Sequence, residues 1–122
     1  MGLVKAVIEI SHPPFGHENT FAGLYVATAS LSKAMDIVVV LRGDGVYTGR
    51  KGQDEPLKKI NLPPTEEQIN DVIELGGRVV ADSDSLTIRG ILEDELIDGI
   101  EILDTNQIHD LIIDQGEKVV TF

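Results

Sequence analysis

The fold class this chain predicts is α/β, with a parallel sheet and helices on both faces. Three observations lead there. Asp36-Ile-Val-Val-Val-Leu41 is a near-continuous apolar run, the pattern of a strand buried on both sides. It feeds directly into Gly43-Asp44-Gly45, turn chemistry at the strand's carboxyl end. Strand-like and helix-like segments then alternate along the 122 residues, as crossover connections require. At this length, residues 1–122 form a single domain.

Leu3 to Ile10 reads as the first strand, rich in β-branched residues. Ser11-His-Pro-Pro-Phe-Gly-His17 is a loop, because two prolines remove donors and restrict the residues before them. Glu18 to Lys33 is a helix, with Phe21, Leu24, Tyr25, Thr28 and Leu31 recurring along it and small residues between them. The second strand, Asp36 to Leu41, opens a long loop from Arg42 to Pro64, with a short turn expected near Leu57 to Ile60.

Thr65-Glu-Glu-Gln68 has the form of a capping box, with Thr65 as cap, and predicts a helix to Leu75 stopped by Gly76-Gly77. Arg78 to Ala81 is the third strand. Asp82-Ser-Asp-Ser85 then starts a helix by N-cap chemistry, ending at Arg89-Gly90. A short helix is expected over Glu93 to Ile97 and a fourth strand over Ile100 to Leu103. Asp104 or Thr105 caps a helix through Asp114, and Lys118 to Phe122 is the fifth strand.

Composition narrows the function. The chain has no cysteine, which removes disulfides, thiolate metal sites and cysteine nucleophiles. Its net charge of −11 argues against a nucleic-acid surface. No apolar run reaches the roughly 18 residues of a spanning helix, and the amino terminus lacks the form of a signal peptide. A cytoplasmic protein without membrane or nucleic-acid contacts is expected. The acids concentrate in residues 60–122, whereas Arg42, Arg50, Lys51, Lys58 and Lys59 make a basic segment. Such a segment either docks an acidic partner surface or an anion, or is a solvated loop.

In an open α/β sheet, ligands bind beyond the carboxyl ends of the strands. Those ends carry Ser11, His12 and His17; Arg42, Asp44 and Tyr47; Asp82, Ser83 and Ser85; and Asp104, Thr105 and Asn106. No G-x-G-x-x-G, P-loop or G-x-S-x-G motif accompanies them. His12, His17 and Asp44 have ligand chemistry, but their spacing matches no metal motif. His12 and Asp44 could serve as an acid–base pair, and Asp44 could equally bond only its own turn. No metal or cofactor is expected.

Four segments together resemble the DsrE/DsrF-like family of sulfur-relay and sulfur-oxidation proteins. They are Lys5 to Pro14, Asp36 to Gln53, Val79 to Ile91 and Lys118 to Phe122. Within the third, Ser85-Leu-Thr-Ile-Arg-Gly-Ile91 is similar to the family's S-L-x-x-R-G-[IL] element. The resemblance implies a three-layer α/β/α sandwich with a five-stranded parallel sheet, assembling as trimers or hexamers, alone or with paralogues. It also implies a persulfide-bearing cysteine three residues before that element; here the position holds Asp82.

The resulting expectation is a non-catalytic subunit in intracellular sulfur transfer, oligomerising with or docking a cysteine-bearing partner. Its pocket or partner surface would use His12, Asp44, Tyr47, Asp82, Ser83 and Arg89, with the Arg42–Lys59 segment as contact. The alternative is a small-ligand or anion-binding protein, or an enzyme, with a pocket at the carboxyl edge of the sheet.

Overall fold

The computed structural model describes residues 6–15, 18–53 and 64–122. Strands β1 (Ala6–Ile10), β2 (Ile37–Leu41), β3 (Arg78–Asp82), β4 (Glu101–Leu103) and β5 (Val119–Thr121) form one sheet in the order β4-β3-β2-β1-β5. Every pairing is parallel. The helices are α1 (Asn19–Ser32), α2 (Thr65–Glu74), α3 (Ser83–Ile88) and α4 (Thr105–Asp110). The expected α/β class and five-stranded parallel sheet are both present.

Strand periodicity divides the core in two. Ile8, Ile10, Val39, Leu41, Val79 and Ala81 point to one face, where Leu24 and Ala27 of α1 and Ile69 and Val72 of α2 cover them. Val7, Val38, Val40 and Val80 point to the other, under Ile108 and Leu111. All five residues of β2 are buried. The unbroken apolar run of that strand is therefore a direct consequence of burial on both faces.

Several local expectations need correction. The capping box at Thr65 does not form: Pro64 holds the N-cap position without a side-chain bond, and Thr65 is already helical and buried. The Pro64 carbonyl accepts from Gln68 N–H at 3.1 Å. The extended ψ of 143° at Pro64 is the non-helical backbone of an N-cap. The start of the Arg42–Pro64 loop is ordered as a 3₁₀ segment, Gly43–Gly49, that buries Val46 and Thr48. The short helix after Ile91 shrinks to a 3₁₀ turn, Glu93–Glu95, where Glu95 Oε2 accepts from Leu92 N–H at 2.8 Å. Beyond Asp110 the last helix continues as a π segment, Leu111–Gln115. Asp104, rather than Thr105, caps α4, in a reciprocal box with Gln107. His17, Lys58, Lys59 and the turn expected near Leu57 to Ile60 lie outside the described residues.

Candidate functional site

The parallel sheet brings the carboxyl ends of β1 to β4 to one edge. Connections leave β3 and β4 toward opposite faces: Leu86 of α3 packs with the first core cluster, and Ile108 of α4 with the second. That divergence is where an open α/β sheet ordinarily leaves a crevice. Here it is bridged. Asp82 ends β3, is 6% exposed, and caps α3 by accepting from Ser85 N–H at 3.2 Å. Its Oδ2 also accepts from the Ser85 hydroxyl at 2.6 Å. From across the divergence, the Thr105 hydroxyl lies 3.2 Å from Asp82 Oδ1 and 2.9 Å from Asp84 Oδ2. With one proton, that hydroxyl serves one carboxylate at a time.

The chain of bonds extends to β2. Ser85 Oγ accepts from Gly43 N–H at 3.0 Å while donating to Asp82. Gly43 has a φ of 55°, the left-handed conformation that glycine adopts without a side-chain penalty. Asp44 meets Arg89, whose Nη2 and Nε lie 3.0 and 3.1 Å from Asp44 Oδ1. Arg89 also donates to the Ser85 carbonyl at 3.1 Å. Gly45 packs so closely on the end of β1 that an added Cβ would stand 2.6 Å from the Ile10 carbonyl carbon.

These contacts explain the Ser85–Ile91 element residue by residue. Ser85 joins the cap to the β2 turn, and Leu86 enters the core. Arg89 reaches Asp44, and Gly90, at φ 67°, ends α3. Ile91 N–H donates to the Leu86 carbonyl and Gly90 N–H to that of Thr87, the reciprocal pattern of a Schellman stop. Ile91 then packs against the same cluster as Leu86.

The other expected site residues are placed less centrally. The His12 carbonyl accepts from Thr20 Oγ1 at 2.9 Å and Thr48 Oγ1 at 3.4 Å, anchoring the β1 loop. Tyr47 is partly buried against the core. Ser83 opens α3, and its carbonyl accepts from Thr87. In the basic segment, Arg42 pairs with Glu9 at 3.0 Å and Arg50 with Glu95 at 3.5 Å, whereas Lys51 is exposed. Arg42 Nη2 also lies 3.4 Å from His109 Nε2. A cleft of about 540 Å³ lies off the sheet edge, between Lys51, Gly52 and the acidic outer side of α2 (Glu66, Glu67). Among the described residues, no group of His, Asp and Glu side chains is arranged to hold a metal ion.

Asp82, Ser85, Gly43 and Thr105 thus bond to one another, as Asp44 does to Arg89, and with no cysteine in the sequence this edge offers no thiol. Asp44 and Arg89 are 45 positions apart, and no local spacing announces their meeting. The carboxylates nonetheless stand where this type of sheet carries its working residues.

The model of the DsrE/DsrF-like family matches residues 4–122. The chain belongs to that family. Among its relatives is an uncharacterised protein of Methanopyrus kandleri, 28% identical over 99% of this chain and 96% of its own length. The intracellular sulfur oxidation protein DsrF of Allochromatium vinosum is 30% identical over 83% of this chain and 74% of its own. Among solved structures, the ychN protein from E. coli superposes with a TM-score of 0.86 at 25% identity, covering 98% of this chain and all (100%) of that one. A protein of unknown function from Methanobacterium thermoautotrophicum gives 0.71 at 17% identity, over 98% and 99% of the two chains, and shares the fold. This chain is a cysteine-free member of the DsrE/DsrF-like family. No helix among its described residues is long and apolar enough to cross a membrane.

Proposed function

We propose that this chain is a non-catalytic DsrE/DsrF-like subunit that works in intracellular sulfur transfer beside a cysteine-bearing partner. The observation that carries the reading is Asp82. It stands three residues before Ser85-Leu-Thr-Ile-Arg-Gly-Ile91, where the resemblance expects the persulfide cysteine, and it is bound by Ser85 and Thr105. A carboxylate holds no sulfane sulfur, and one that caps a helix is committed to the fold. The likeness to DsrF supports the sulfur setting. The exposed part of the Arg42–Lys59 segment, with Lys51, serves as the contact surface for the partner.

The test is affinity purification from the native cell, followed by intact-mass analysis of what co-purifies. The expected result is a cysteine-bearing partner carrying an extra sulfur atom, whose sulfur transfer slows when this chain is left out. Recovery of no such partner, or transfer at an unchanged rate without this chain, overturns the reading.

A further inference from the structure

The stop of α3 leaves two aliphatic side chains outside the fold. Ile88 is 80% exposed and Leu92 64%. Their positions follow from the turn between them. Leu86 and Ile91 enter the core. Ile88 lies two helical positions past Leu86, roughly 200° around the axis, and so points away from that core. Leu92 follows Ile91 in extended backbone, with φ −89° and ψ 154°, and leaves on the side opposite Ile91. Between them stands Gly90, where an added Cβ would meet nothing within 4 Å. Two aliphatic shoulders thus flank an open glycine. Single exposed aliphatics are ordinary, but a pair joined by one turn and rimmed with charge has the form of a contact site.

The rim is of one sign. Asp84 stands one turn before Ile88, and Glu93 and Asp94 follow Leu92, all three exposed. Arg89, within the turn, is engaged by Asp44, and Arg50 by Glu95. The charge left facing outward is therefore negative. Two such surfaces set face to face about a two-fold axis would oppose acid to acid, so the patch repels its own likeness. An anionic lipid surface is repelled for the same reason. What the patch attracts is an apolar chain that carries cations.

We propose that the surface formed by Ile88, Gly90 and Leu92 docks a basic amphipathic segment of another protein. An aliphatic side chain of that segment seats over Gly90, between Ile88 and Leu92. Its lysines and arginines face Asp84, Glu93 and Asp94. Two anchors suit a transient contact below roughly 1,200 Å², with the charges setting the rate of encounter. This surface is opposite in sign to the Arg42–Lys59 segment, and the inference does not rest on sulfur transfer.

The probe is a fluorescent helical peptide of leucine and lysine, titrated with the full chain and read by anisotropy. Binding is expected at low salt and should weaken several-fold in high salt. Ile88→Ser and Leu92→Ser should each weaken it at least about tenfold, as loss of an anchor does. Both positions are exposed, so the urea midpoint should hold; if one variant shifts it, the other decides. Leu75→Ser, exposed elsewhere, is the control and should bind like the unmodified chain. Peptides with glutamate for lysine, or serine for leucine, should bind at least about tenfold more weakly. Equal binding of the glutamate peptide overturns the proposal. So does binding that Glu67→Lys, on the acidic side of α2, weakens while Ile88→Ser does not. Because the chain has no cysteine, Ile88→Cys can carry a single benzophenone label. Light should join it to the peptide; joining to a second copy of the chain instead overturns the proposal.

Discussion

The two sides of the sheet are finished differently. On the β3–β4 side, nearly every polar group named above has a partner. Asp82, Ser85, Gly43 and Thr105 form a connected set, Asp44 and Arg89 close over it, and Arg78 grips Glu101 through two bonds of 2.9 Å. On the β5 side, apolar residues stand half out of the structure. The chemistry-bearing residues are thus the satisfied ones, and the unsatisfied surface is chemically plain. In this molecule the polar residues at the sheet's carboxyl edge fasten the fold, and the unmet demand for contact is apolar. The difference is open to attack from the fastened side, where substitutions should cost stability in a graded order.

Gly45→Ala is expected to be the most damaging. Its Cβ would collide with the Ile10 carbonyl, and neither backbone can yield without opening the junction of β1 with the β2 turn. A loss of about 3 kcal/mol or more is expected, read from the urea midpoint. Gly90→Ala is the matched control. It meets open space but a φ of 67°, so only the left-handed backbone penalty of about 1–2 kcal/mol applies. Equal effects at the two glycines would show that the junction is loose.

Asp82→Ala comes next. It deletes the cap on α3 and strands the Ser85 hydroxyl in a buried place. About 2–3 kcal/mol is expected, combining a lost cap with an unsatisfied group. Asp82→Asn keeps an acceptor and should lose less. If Asp82→Ala proved neutral in chemical denaturation, Asp82 would be a spare carboxylate, and the β3–β4 side would regain a candidate reactive group. The Asp44–Arg89 pair should matter less, because Asp44 is 58% exposed and water competes for it. A double-mutant cycle with Asp44→Ala and Arg89→Ala should give a coupling of about 0.5–1 kcal/mol.

Much of this was legible beforehand, for reasons visible in particular residues. Burial on both faces writes itself into Ile37–Leu41 as an unbroken apolar run, so strand and sheet type could be read together. Asp82 was legible as a cap, and Asp104 as one of two candidates beside Thr105, because capping is local, reaching three residues ahead. Thr65 shows the limit of the same logic: the box motif was present, but Pro64 took the cap position. Contacts between distant segments left no trace. Gly43 to Ser85, Asp44 to Arg89 and Glu9 to Arg42 depend on the sheet order, which no single segment encodes. The exposure of β5 was hidden for a related reason. Lys118-Val-Val-Thr-Phe122 has the composition of a covered strand, and only its place at the end of the order β4-β3-β2-β1-β5 leaves it bare.

The smallest effect tests whether the fastening reaches the opposite edge, where β4 is the outermost strand. Arg78 and Glu101 meet through two parallel bonds, and hydrogen bonding to Arg78 holds the Glu101 carboxyl below its ordinary value of 4.5. Arg78 is shifted the opposite way, upward, by the same bond. Glu101 therefore loses its proton more readily in the folded chain than in the unfolded one. The pair's contribution is fully present above the ordinary carboxyl value and fades as pH falls through the lowered folded value. Both side chains are more than 40% exposed (43% and 44%), so solvent screening limits the contribution to less than about 1 kcal/mol. Glu101→Gln should be less stable than the unmodified chain at pH 7 by that small amount. The two should converge in strongly acidic solution, as paired urea titrations would show. A gap that persists in acid would mean that Glu101 acts through packing rather than charge. The β4 edge would then be held by shape.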